Sequence, residues 1–153
     1  HTDNRRQRQM CIRDSDKIRK YYIWKKNLKM KKIIHSSNAP EAIGPYSQAV
    51  FANNTLYCSG QIALDKNGVL VNGNISDETN QIINNIREVL KAAKMDFTNV
   101  VKSTIFLKNM KDFNVVNKIY EKVFDDYPPA RETVEVSNLP KNVNIEISVI
   151  ACL

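Results

Sequence analysis

The chain has 153 residues and a formal charge of +7 at pH 7. That length allows one domain with its own hydrophobic core, and no run of about eighteen apolar residues could form a spanning helix. Three cysteines without a C-x-x-C pair, and only two histidines, encode neither a disulfide framework nor a zinc site, a usage that suits a reducing, cytoplasmic compartment.

The charge is unevenly placed. Ten of the 23 Lys and Arg and three of the 16 Asp and Glu lie within residues 1–29, which leaves thirteen of each sign in residues 30–153. The leader has no sustained apolar period, so it is expected to stay disordered, because it cannot bury enough surface to offset the entropy of ordering it. Its start, Thr2 to Ser15, reads as non-native sequence joined ahead of a natural start at Met30, the rival reading being a basic tail for RNA or membrane surfaces. Residues 30–153 form the single expected domain. Being neutral, that domain lacks the electrostatic footprint of a nucleic-acid binder.

From Lys32 the pattern predicts a short strand, a strand pair, a helix, a strand, a second helix and two strands. Val50-Phe51-Ala52 and Thr55-Leu56-Tyr57-Cys58-Ser59 flank Asn53-Asn54, a pair that tolerates the left-handed backbone of a hairpin turn. A further turn is expected at Asp65-Lys66-Asn67-Gly68. Past Gly73, Ser76 or Asp77 can cap a helix whose Ile82, Ile83, Ile86, Val89, Leu90 and Ala93 recur at helical spacing. Val100 to Leu107 is rich in β-branched residues, as a largely buried strand would be. Asp112 can cap a second helix with Phe113, Val116, Tyr120, Val123 and Phe124 on one stripe, ended by Pro128-Pro129. Val143, Ile145, Ile147 and Val149 alternate with Asn144, Glu146 and Ser148, a strand with two unlike faces. The sum is an α+β domain with both helices on one sheet face, which leaves the other face for a partner.

Arg131 is one of two arginines in residues 30–153 and follows Pro128-Pro129-Ala130. A guanidinium is permanently charged and presents a planar fork of donors, so holding one at the start of a strand suits a small carboxylate. Tyr46 follows the rigid pair Gly44-Pro45, which aims its ring. Ser59 and Gly60 close a strand, where glycine permits close approach. Asn117 falls on the apolar stripe of the second helix, where a buried amide needs partners. On its residues alone Glu146 reads as a solvated carboxylate on an amphipathic strand. Cys58 reads as a small buried hydrophobe, and no histidine is spaced to activate Ser59 as a nucleophile. The glycines form neither a P-loop nor a dinucleotide fingerprint, so no nucleotide cofactor is expected.

The segments Ile43-Gly44-Pro45-Tyr46-Ser47-Gln48-Ala49, Cys58-Ser59-Gly60-Gln61-Ile62, Pro129-Ala130-Arg131 and Ile145-Glu146-Ile147 occur in an order that resembles the RidA (YjgF) family of enamine/imine deaminases. The resemblance runs from about Met30 to Ala151. It implies a chorismate-mutase-like mixed sheet, assembled as a homotrimer around a central barrel with active sites between subunits. It also implies hydrolysis of 2-enamino and 2-imino acids, such as 2-aminoacrylate, to 2-keto acids and ammonia, without metal or cofactor. Arg131 would hold the substrate carboxylate, Glu146 would deprotonate the attacking water, and Tyr46, Ser59, Gly60, Asn117 and Thr133 would line the site. Thr133 departs from the cysteine often found at its place, which puts any thiol-based regulation in doubt. The competing expectation is a sensor or chaperone that binds small carboxylates in the same clefts without turning them over.

Overall fold

A computed structural model describes residues 31–124 and 126–153. The expectations for the basic leader lie outside the described residues. The elements are β1 (Lys32–Ile34), β2 (Ala49–Ala52), β3 (Thr55–Cys58), α1 (Ile75–Ala92), β4 (Val100–Leu107), α2 (Phe113–Glu121), β5 (Ala130–Glu135) and β6 (Ile145–Cys152). The six strands form one sheet in the order β1-β2-β3-β6-β4-β5. All neighbours are antiparallel except β4 and β5, which run parallel and are joined through α2. This is the α+β layout expected from the alternation of helical and strand periods.

Asn53 (φ 49°) and Asn54 (φ 61°) turn β2 into β3. Two successive left-handed residues match the right-handed twist of the hairpin, and asparagine enters that region at lower cost than most residues. Asp65 Oδ1 accepts from the amides of Asn67 and Val69, which closes the next turn around Gly68 (φ 79°).

Both helix starts differ from expectation. The cap of α1 is Asn74, whose Oδ1 accepts from Asp77 N at 3.0 Å while its Nδ2 donates to Asp77 Oδ2 at 2.8 Å. Ser76 and Asp77 thus lie inside the first turn, because Asn74 already supplies an acceptor in extended backbone. Asp112 makes no side-chain cap. A single 3-10 turn over Met110–Asp112 precedes α2, and Asn109 caps it. Nor does α2 run to the double proline. It stops at Glu121, and Phe124 folds back so that its ring lies 4.4 Å from Tyr120 and edge-on to Phe97 at 5.2 Å.

Among the described residues the helices cover one side of the sheet. Leu56, Ile105, Leu107, Ile145 and Ile147 pack against Ile82, Ile86, Val89 and Leu90 of α1 and Val116 of α2. Each fully buried side chain of this size contributes roughly 1.5–3 kcal/mol. Strand β4 alternates between buried and accessible residues, so the expectation of a largely buried strand is corrected. Among the described residues no helix packs on its open face. In register across that face run Ile33, Val50, Tyr57 and Ile150, with Ile33 and Tyr57 63 % and 51 % exposed. Among the described residues no helix is long and apolar enough to cross a membrane.

Candidate active site

Two clefts hold six of the site residues singled out in the sequence, and Thr133 lines neither of them. Arg131 and Asn117 share one of about 440 Å³ with Tyr120, Phe124 and the two prolines. Tyr46, Ser59, Gly60 and Glu146 share another of about 300 Å³ with Ile43, Ile62 and Pro140.

The first cleft is built around a cation. Parallel pairing sets Arg131 opposite Ser103 on the helix side of the sheet. There Arg131 Nη1 donates to Asn117 Oδ1 at 2.8 Å. The guanidinium also lies over the rings of Tyr120, at 4.9 Å, and Phe113, at 5.7 Å. Phe113, Asn117 and Tyr120 are spaced four and three apart on α2, so one helical stripe supplies both the amide and the aromatic platform. A guanidinium offers five donors, and Asn117 occupies one side of it. No acidic side chain among the described residues forms an ion pair with Arg131.

The hydroxyls of Ser103, opposite Arg131, of Tyr120, beneath its guanidinium, and of Thr133, further along β5, are buried without a hydrogen-bond partner among the described residues. Burial raises the Tyr120 phenol above its ordinary value, and the neighbouring Ser103 hydroxyl and Arg131 charge offset part of that. Ser103 and Tyr120 are thus neighbours whose hydroxyls do not complete a bond of good geometry. Thr133 sits two residues beyond Arg131 on the same side, in register with Ile105.

The second cleft is built around a carboxylate. Antiparallel pairing sets Glu146 opposite Phe106, on the open side of the sheet. Glu146 accepts no hydrogen bond within the described residues, and burial alone raises its carboxyl above the ordinary glutamate value. Its neighbour is Gly60, where a Cβ would overlap Glu146 Oε1 and lie 2.7 Å from its carboxyl carbon. The close approach that glycine permits is taken up here by the Glu146 carboxylate, with Gly60 also lining the cleft. A bridge in which Gln61 N donates to Ile147 O at 2.8 Å and Ile147 N to Gln61 O at 3.1 Å holds the two segments together.

Tyr46 is positioned by its own turn. Its amide donates to Gly44 O at 2.8 Å, and its hydroxyl accepts from Ile43 N at 3.4 Å. Ser59 Oγ donates to Ser47 O at 2.6 Å and Ser59 N to Gln48 O at 3.0 Å, so this serine fastens the Tyr46 segment to the end of β3. Buried Gln48 anchors the preceding loop, accepting from Ser36 N and donating to Ser36 O and Pro40 O. Its role was missed in the sequence, where a lone amide beside Ala49 gives no sign of burial.

Cys58 is 8 % exposed and burial pushes its thiol up to about 12, which makes it inert. Among the described residues no group of three or more His, Cys, Asp or Glu is placed to hold a metal ion. His35 Nε2 lies 2.9 Å from Glu41 Oε1 at the surface.

Residues 36–153 match the family model described as endoribonuclease L-PSP. A RutC family protein of Pyrococcus horikoshii is 49 % identical over 123 residues, covering 80 % of this chain and 98 % of that protein. The human 2-iminobutanoate/2-iminopropanoate deaminase is 48 % identical over 123 residues, covering 80 % of this chain and 90 % of that protein. Among solved structures, a Rid family protein of unknown function from Yersinia pestis superposes with a TM-score of 0.78 at 46 % identity, covering 80 % of this chain and 99 % of that one.

Proposed function

The chain belongs to the RidA family, and from that membership and the two clefts we propose that it hydrolyses 2-imino and 2-enamino acids to 2-keto acids and ammonia. The observation that carries this reading is the cation of Arg131, held by Asn117 and Tyr120 with most of its donor fork free of partners among the described residues. A small carboxylate completes such a fork.

The reaction asks little beyond positioning. An imine carbon is already electrophilic, so the site needs a carboxylate anchor, a water and a base. Arg131 fixes the substrate carboxylate. Glu146, with no competing donor among the described residues, holds a water and takes its proton as oxygen bonds to the imine carbon. That proton passes to nitrogen. The carbinolamine then expels ammonia as its hydroxyl becomes the carbonyl, so imine and water give keto acid and ammonia. An enamine enters after tautomerising to the imine. The Tyr46 hydroxyl orients the substrate, while Ser59 and Gly60 form the wall. Thr133 lines the carboxylate end.

Arg131 and Glu146 stand on opposite sides of the sheet, so one chain cannot present both to a molecule of this size. We infer that a neighbouring copy completes each site in a homotrimer whose uncovered sheet faces, with Ile33 and Tyr57 exposed, meet in the interior. The sensor reading uses the same clefts but gives Glu146 no task, and a carboxylate half-buried without a bond partner favours the enzyme. RNA cleavage, suggested by the description of the family model, finds weaker support. The domain carries no excess of basic residues, and its sole histidine is engaged by Glu41.

The test generates the imine in situ from serine or threonine with a dehydratase and follows its disappearance. Wild type is expected to accelerate the loss and Arg131→Ala to lose that acceleration. Equal rates for the two proteins would contradict the assignment.

A further inference from the structure

The mechanism leaves one buried carboxylate unused. Glu78, in the first turns of α1, is 2 % exposed, and both its oxygens are engaged by a single residue. Its Oε2 accepts from the backbone N of Asn144 at 3.0 Å, and its Oε1 from Asn144 Nδ2 at 2.5 Å. Desolvating a carboxylate is costly, and two amide donors are the least that would hold one there.

Asn144 is the residue just before β6, two before Glu146. Its carbonyl accepts from Lys108 N at 2.9 Å, so the residue is pinned from both sides. The loop that delivers it is strained. Lys141 (φ 53°) and Asn142 (φ 59°) are consecutive non-glycine residues in the left-handed region, which costs roughly 1–2 kcal/mol for Lys141 and less for Asn142. Pro140 of that loop forms a wall of the Glu146 cleft. A strained loop persists only where its surroundings fix it, and here the fixed end is Asn144.

We propose that Glu78 is a positioning residue for the deaminase, holding Asn144 so that Pro140 and Glu146 keep their places against Gly60. The inference rests on the function proposed for Glu146. It is specific to this pair, because the acceptor arrangement needs a carboxylate facing an amide. Glu78→Gln retains size and shape but presents an NH2 group to one of two donors, so one hydrogen bond is lost and a donor is left facing a donor. Pairing Glu78→Gln with Asn144→Asp reverses the side-chain polarity. The glutamine Nε2 then donates to the new carboxylate while its Oε1 still accepts from the backbone N of residue 144.

Steady-state kinetics on the full chain, with thermal melting alongside, test this. Glu78→Gln is expected to lower kcat on the order of ten- to a hundredfold, because a displacement of about 1 Å is enough for that loss. KM should change less than about twofold, since Arg131 holds the carboxylate in a different cleft. Glu78→Gln/Asn144→Asp should recover most of the lost kcat. A Glu78→Gln protein that melts earlier but keeps wild-type kcat would overturn the proposal, and so would a lowered kcat that the double variant fails to recover. A crystal structure of Glu78→Gln gives a readout independent of turnover. Glu146 displaced from Gly60 supports the positioning role, and Glu146 unmoved overturns it. A wild-type protein that consumes no imine would overturn the deaminase reading while leaving this structural outcome to stand or fall alone.

Discussion

Arg131 and Glu146 occupy opposite faces of one sheet. Arg131 pairs with Ser103 and Glu146 with Phe106, three residues further along β4. Side chains alternate with period two, so an odd separation on a shared neighbour strand puts them on different sides. Under the proposed function the carboxylate grip and the base therefore belong to two half-sites, and each can be perturbed without touching the other.

Arg131→Lys keeps the charge but loses the planar fork and the stacking on Tyr120. We expect KM for the imine to rise on the order of tenfold or more with a smaller effect on kcat. Asn117→Ala, which frees the guanidinium to rotate, should raise KM by about tenfold, the equivalent of about 1.4 kcal/mol and near the lower end for a hydrogen bond to a charged group. Initial-rate kinetics on both variants check this. An effect confined to kcat would contradict it.

Burial raises the Glu146 carboxyl above the ordinary glutamate range. As a base it works ionised, so kcat should climb with pH through a midpoint above that range. The stability effect has the opposite sense. A raised folded-state pKa means the folded protein holds the proton more tightly, so this group's favourable contribution is present at low pH and is lost as pH rises through the folded value. Glu146→Gln should therefore gain melting temperature relative to wild type as pH goes from acid to neutral, while losing turnover. Melting curves at several pH values decide it, and a variant that becomes relatively less stable toward neutral pH would count against the burial account.

Gly60→Ala places a methyl where Glu146 Oε1 now sits. The obstructing group is the far end of a flexible side chain, so the cost falls on the position of the carboxylate rather than on the fold. Turnover should drop by on the order of a hundredfold with little change in melting temperature. A large loss of stability with normal kcat in the remaining folded protein would contradict this.

Cys58, with its thiol pushed up to about 12 and buried in the core, should resist alkylation in the native protein at neutral pH, whereas Cys152 is partly accessible. Mass spectrometry after brief labelling should find Cys58 unmodified and activity retained.

The element order was legible because helical and strand periods alternate cleanly along the chain, and Asn53-Asn54 marks its hairpin by chemistry alone. The helix ends were not. Asn74, Ser76 and Asp77 are all competent caps, and only the backbone entering α1 decides among them. The sequence displays Arg131, Asn117, Tyr46, Gly60 and Glu146, yet it cannot reveal that they fall into two clefts, because that depends on the register of β5 and β6 on β4. Glu78 carries a signal in the sequence itself. It lies four before Ile82 and eight before Ile86, a charge on the core stripe of α1 that requires a buried partner. The stripe of α2 marks Tyr120 as a core residue, and the structure adds that its ring carries the guanidinium.

The central claim is that the cation and the base acting on one substrate come from different copies of the chain. Co-expressing Arg131→Ala and Glu146→Gln in equal amounts, each inactive alone, tests it most directly, because some boundaries then join an intact Arg131 to an intact Glu146. With random assortment about a quarter of the boundaries are whole, so the mixed protein should recover about a quarter of wild-type imine hydrolysis. A mixture no more active than its parents, with mixed assemblies present, would contradict the account.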